Sequence, residues 1–373
     1  MPGGRVRVEA LTFFRFVAAA IVVVFHFGRD ATGLSGVLVA GPQMVTFFFV
    51  LSGFVMGLSY FDRGDFDRHR YWLARIARIL PVYALGLALM LLSIFLRGEA
   101  VDAKALLLNL TLLQSWSPPY PTSINPPGWS LSVEAFFYWL FPFVLLAIRR
   151  YRVSAGKALA LSMVLWGMTQ AILIAAFNSG PDAGLPRFAH DLIYYFPLSH
   201  LCSFLLGVSG GIWLLRRRVS IDNTIHSTLF VTGALSLVVM AINGQPRLGA
   251  LLGFDIPFRS SFYAPLFLLL IVAIAACRST LSRALRARPL VLLGGASYSV
   301  YILQAPLELL YADYLSDAFG LSPAMDFGAY FVLLIVISMV CFLAFEKPAN
   351  RWIRYTLPDW LRRRRAMACA GEP

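Results

Sequence analysis

Apolar residues in this chain come in runs long enough to cross a bilayer, and this limits the possible folds more than any other feature. Ten runs are read, near residues 11–27, 43–60, 79–96, 129–148, 158–177, 195–215, 227–243, 261–277, 290–311 and 327–345. A helical span needs about 17–25 such residues. In hydrocarbon each backbone N–H and C=O must bond within the protein, which a helix achieves within its own segment. The residues are 59% hydrophobic and only 14% charged, where a soluble chain carries about 25% charge. The expected fold is all-α, a polytopic integral membrane protein with about ten transmembrane helices. A cleaved leader is not expected, because Arg15 lies inside the first run and no small-residue cleavage site follows it. No short-period repeat or low-complexity linker divides the chain. It reads as one transmembrane domain over 1–354 with a basic tail over 355–373.

The net charge of +13 raises the question of nucleic acid. Its placement answers for topology instead. With the N-terminus inside, the inner segments hold 25 of the 32 Lys and Arg, the outer segments hold six, and Arg15 is the last. This positive-inside bias predicts cytoplasmic N- and C-termini. Arg362 to Arg365 then anchor the tail to anionic lipid headgroups. Cys202, Cys277 and Cys341 fall in spans and Cys369 in the tail, so free thiols are expected. No Cys/His cluster has metal-ligand spacing. Residues Ala105 to Gln114 are too short to span and read as an interfacial or re-entrant helix. Ser117 to Gly128, with five prolines, reads as an outer loop. Asp65 to Leu80 reads as a basic amphipathic helix stopped by Pro81. Asp182, His190, Asp191, Asp255, Asp313, Asp317 and Asp326 place polar groups on the remaining outer loops.

Within this apolar frame a few polar residues stand out, because an ionisable group in a span is costly unless it faces protein or a wet cavity. Arg15 and His26 are eleven residues apart, so they share one helical face with a rise of about 16 Å between them. A neutral imidazole suits proton removal from a hydroxyl, and Arg15 suits an anion. Interfacial placement of His26 and snorkelling of Arg15 are the competing readings. Arg75 and Arg78, three apart, form a guanidinium fork fitted to phosphate oxygens, of a soluble donor or of lipid. Glu134 lies near the depth of His26 and is read either as its orienting carboxylate or as a carboxylate at a helix N-terminus. Ser52, Gly53 and Gly57 read as close helix packing. Tyr298, Tyr301, Gln304 and Glu308 form a possible polar face.

Taken in order, RVEALTFFRFVAAAIVVVFHF, MVTFFFVLSGFVMGLSY, WLARIARILPVY, GWSLSVEAFFYWLFP, SYSVYILQAPL and FEKPANRW cover residues 7–354 and resemble the membrane-bound acyltransferase 3 family. The resemblance implies acyl transfer, usually of acetyl, from cytoplasmic acyl-CoA to a hydroxyl of a sugar, polysaccharide or glycosylated small molecule. It implies no permanently bound cofactor, acyl-CoA being a co-substrate. By position it makes Arg15 and His26 the catalytic pair and Arg75 and Arg78 the donor-binding pair, in a bacterial cytoplasmic (inner) membrane; Glu134 matches a motif glutamate, and its assisting role is inferred from the chemistry above. Where the family often has a second histidine this chain has Gln304. The reading from another class is a secondary transporter, but no inverted halves with matching broken helices are found.

Overall fold

A computed structural model describes residues 2–28, 40–62, 66–179, 187–316 and 320–358, with side chains from Glu9 onward. Asp65, Asp182, Asp317, Arg362 to Arg365 and Cys369 lie outside the described residues. The architecture is all-α. Among the described residues nine helices are long and apolar enough to cross a membrane. Seven of them are α1 (Pro2–Phe27), α2 (Gly41–Tyr60), α3 (Arg68–Leu96), α5 (Trp129–Arg150), α6 (Ala155–Asn178), α8 (Pro197–Arg217) and α9 (Thr224–Asn243). The other two are α13 (Arg288–Tyr314) and α14 (Pro323–Cys341), the latter carried on through two π-helical turns to Thr356. Short helices fill the connections: α4 (Ala103–Leu110), α7 (Arg187–Tyr194), α10 (Gln245–Leu252) and α12 (Thr280–Leu285).

Two expectations are corrected. The run 261–277 forms only α11 (Ala264–Ala276), 13 residues, or about 20 Å against a hydrocarbon core of about 30 Å. Its apolarity serves burial instead of lipid contact: Ala264, Phe267, Ile271, Ala273 and Ile274 are at most 1% exposed, packed by α2, α8 and α9. Pro81 also fails to stop its helix, since α3 runs unbroken from Arg68 to Leu96.

The survival of that helix has a specific cause. A proline has no N–H for the carbonyl four residues earlier, and an unmet carbonyl in hydrocarbon costs several kcal/mol. Among the described residues the α-helices α3, α5 and α13 each carry an internal proline, and each freed carbonyl is met by a side chain from elsewhere. Pro81 frees Ala77 O, which accepts from Asn350 Nδ2 at 3.0 Å. Pro142 in α5 frees Tyr138 O, which accepts from the Tyr71 hydroxyl at 2.8 Å. Pro306 in α13 frees Ile302 O, which accepts from Asn125 Nδ2 at 3.2 Å. These clamps cross-tie the helices that wall the central cavity.

The tightest helix pair is α2 with α8. A Cβ at Gly53 would sit 2.0 Å from Phe204 O, and one at Gly207 2.0 Å from Val50 O. Glycines on both sides of this seam let the backbones touch. The segment after α3 folds inward and is anchored by buried amides: Gln114 Nε2 donates to Gly128 O at 2.9 Å, and the Tyr83 hydroxyl donates to Asn109 O at 2.7 Å.

Candidate active site

A cavity of about 360 Å³ lies inside the bundle, walled by α1, α2, α3, α5, α13 and the extension of α14. Its lining includes Arg15, Ser52, Arg75, Arg78, Glu134, Tyr138, Tyr298, Tyr301 and Arg354. Four charged residues singled out in the sequence, Arg15, Arg75, Arg78 and Glu134, therefore border one space, together with Tyr298 and Tyr301 of the expected polar face and Ser52, which was expected only to pack. Helical spacing explains the convergence: Arg75 and Arg78 are one turn apart on α3, while Ser130, Glu134 and Tyr138 form one stripe on α5.

Each arginine is held differently. Arg75 sits among three tyrosine rings, with centroids at 6.0 Å (Tyr60), 5.9 Å (Tyr71) and 5.1 Å (Tyr138). These negative ring faces partly replace water around the cation. Its Nη1 reaches only Met56 Sδ at 3.3 Å, and its buried Nε has no partner. Arg78 stacks over Tyr298 at 5.0 Å and donates from Nη1 to Glu346 Oε1. The other oxygen of Glu346 accepts from Ser299 Oγ at 3.0 Å. Arg15 has no ion pair among the described residues. The cavity thus presents guanidinium donors that the protein leaves partly unused.

Glu134 belongs to this cavity and not to His26. Its Oε1 accepts from Ser52 Oγ at 2.8 Å and from the Tyr138 hydroxyl at 2.5 Å. His26 stands outside the lining, exposed at the end of α1, and Gln304 takes the place expected for the carboxylate. Gln304 is fully buried. Its Nε2 donates to Tyr301 O at 2.7 Å, which turns Oε1 toward His26 Nδ1 at 3.0 Å. An acceptor there requires the proton on Nδ1 and leaves the Nε2 lone pair free. Tyr301 lines the cavity, so Gln304 is the link between the cavity and the imidazole.

Sequence reasoning missed Glu346, Tyr138 and the aromatic cage of Arg75. The FEKPANRW stretch carried the signal for Glu346, as a carboxylate in an apolar frame that needs a cation. His200, which received no role, has both ring nitrogens engaged, by Ser261 Oγ at 3.1 Å and Tyr194 O at 2.9 Å. It packs on Phe49 and Trp129 as a buried core residue.

Fold and site together define a multi-pass helical membrane protein with an arginine-lined cavity inside its bundle. The profile of the acyltransferase domain matches residues 8–344, and the chain belongs to this acyltransferase 3 family. It is similar to the acyltransferase MdmB of Streptomyces mycarofaciens, 30% identical over 57% of this chain and 60% of that protein. It is also similar to the exopolysaccharide production protein ExoZ of Rhizobium meliloti, 27% identical over 83% of this chain and 90% of that protein. The peptidoglycan O-acetyltransferase OatA of Listeria monocytogenes is 24% identical over 81% of this chain and 50% of its own length. The chain thus spans less than two thirds of MdmB and half of OatA. No solved structure gives a significant match.

Proposed function

We propose that this protein is an O-acyltransferase that moves an acyl group, acetyl by preference, from cytoplasmic acyl-CoA to a hydroxyl of a carbohydrate or glycosylated acceptor. The observation that carries this is the gathering of Arg15, Arg75 and Arg78 around one cavity in an apolar bundle. Charged residues inside spans face cavities and mark ligand pathways, and a cluster of cations fits a polyanion such as acyl-CoA. The names of ExoZ and OatA support a sugar hydroxyl as acceptor. The basic segments support cytoplasmic termini; the membrane we propose is the bacterial inner membrane. The transmembrane domain is taken as residues 1–354, with 355–373 as a basic tail.

In this reading the diphosphate of the donor rests on Arg75 and Arg78, and Arg15 guides the pantetheine arm toward His26. His26 Nε2 takes the proton from the acceptor hydroxyl as the new C–O bond forms. The C–S bond breaks, and the CoA thiolate leaves and recovers that proton. Gln304 holds the imidazole in the tautomer this step needs. Glu134 fixes the hydroxyls of Ser52 and Tyr138 within the donor cavity.

The test uses purified protein in vesicles with labelled acetyl-CoA and peptidoglycan fragments, exopolysaccharide or glycosylated small molecules. The expected result is an O-ester on one acceptor class that is absent with His26→Ala. Acceptor uptake by both proteins with no acyl transfer by the wild type would replace this reading with transport.

A further inference from the structure

The family match ends at residue 344, yet the helix continuing from α14 still lines the cavity. Glu346, Asn350 and Arg354 follow one another at intervals of four, which places them along one side of that helix. All three work toward α3 or the cavity. Glu346, only 3% exposed, receives Arg78. Asn350 caps the Ala77 carbonyl that Pro81 leaves free, and it lines the cavity. Arg354 also lines the cavity but is exposed, so it stands at the open end. Its guanidinium lies 5.4 Å from the Tyr355 ring centroid and has no ion pair among the described residues. The cavity lining therefore holds four arginines against one carboxylate, Glu134.

We propose that this stripe is a further wall of the donor site and that Arg354 binds the 3′-phosphate of acyl-CoA, beyond the diphosphate held by Arg75 and Arg78. This rests on the acyl-CoA reading above. A soluble donor meets the cavity at its open end, so its terminal 3′-phosphate stops at Arg354 while the thioester passes inward beyond Arg15. Glu346 and Asn350 are positioning residues. Glu346 turns Arg78 and holds it over Tyr298. Asn350 meets the carbonyl that Pro81 frees and so ties α3 to this helix, with Arg75 and Arg78 on the cavity side. The FEKPANRW stretch is thereby accounted for: its carboxylate, amide and following arginine each meet a partner or ligand one helical turn further along.

The experiment compares acetyl-CoA with acetyl-pantetheine, which carries the same thioester and no adenosine phosphates. Arg354→Ala is expected to raise KM for acetyl-CoA about tenfold, the value of one charge-assisted contact. It is expected to leave kcat, and all constants with acetyl-pantetheine, unchanged. Arg354→Lys restores most of the loss. Glu346→Gln raises KM for acetyl-CoA but not for acetyl-pantetheine, and Glu346→Asp recovers part of it. Equal effects on both donors would overturn the inference. So would an effect of Arg354→Ala seen only in vesicles with anionic lipid, which would make Arg354 a headgroup anchor. If the wild type transfers acetyl from neither donor, the acyl-CoA reading itself falls; if it transfers from both and Arg354→Ala does not discriminate, this inference alone falls.

Discussion

Replacing Tyr71 by Phe removes one oxygen and almost nothing else. Tyr71 is 1% exposed, and its ring packs on Tyr60 at 5.4 Å and Phe141 at 5.8 Å. Phe keeps those contacts, so the change isolates the hydrogen bond to Tyr138 O. That carbonyl loses its normal helical donor because residue 142 is proline. Losing a hydrogen bond that leaves a buried carbonyl unmet costs about 1–3 kcal/mol. Double-mutant cycles inside membranes give lower values, about 0.6 on average and 1.7 at most. The expected cost of Tyr71→Phe is therefore about 1–2 kcal/mol. Pro142→Ala returns an N–H to the carbonyl, so in that background Tyr71→Phe should cost about 0.5 kcal/mol or less. Unfolding in mixed micelles, followed by tryptophan fluorescence for all four proteins, measures the coupling. Because Tyr138 also donates to Glu134, acyl transfer should fall several-fold in the single mutant and recover in the double. Equal costs in both backgrounds would refute the account of how α5 tolerates its proline.

Other outcomes follow from the same contacts. Gln304→Met keeps volume but removes the acceptor for His26 Nδ1–H; kcat should fall about tenfold with donor KM unchanged, and steady-state kinetics would show a raised KM instead if Gln304 served donor binding. Arg75→Ala should weaken acetyl-CoA binding about 10- to 100-fold by calorimetry, and unchanged affinity would remove Arg75 from the donor site. Gly207→Ala sets a methyl 2.0 Å from Val50 O and should cost about 2–3 kcal/mol in the unfolding assay, where a neutral result would mean that the α2–α8 seam is loose.

Much of the site could be read from spacing along single helices. Arg15 and the Arg75–Arg78 pair stood out because charge is rare in apolar runs, and helical period told which residues share a face. The reading failed where a partner lies far along the chain. Glu134 was matched to His26 by depth alone, yet its hydroxyl partner Ser52 is 82 residues away and the imidazole's partner Gln304 is 278 away. The same limit hid Glu346, 268 residues from Arg78. Local rules make Pro81 a helix stop because they contain no term for a donor supplied by Asn350.

The sequence alone determined the solvent and the element type. Hydropathy is a local sum, and a long apolar run has one low-energy backbone in a bilayer, the helix. It also determined which residues carry charge into that solvent. Only the tertiary structure decided which of those charges meet, which is a matter of helix order and rotation that no single run encodes. Packing chose Gln304 for His26, Glu346 for Arg78 and a tyrosine cage for Arg75, because in a low-dielectric interior each buried polar group must take whichever partner the neighbouring helix brings within reach.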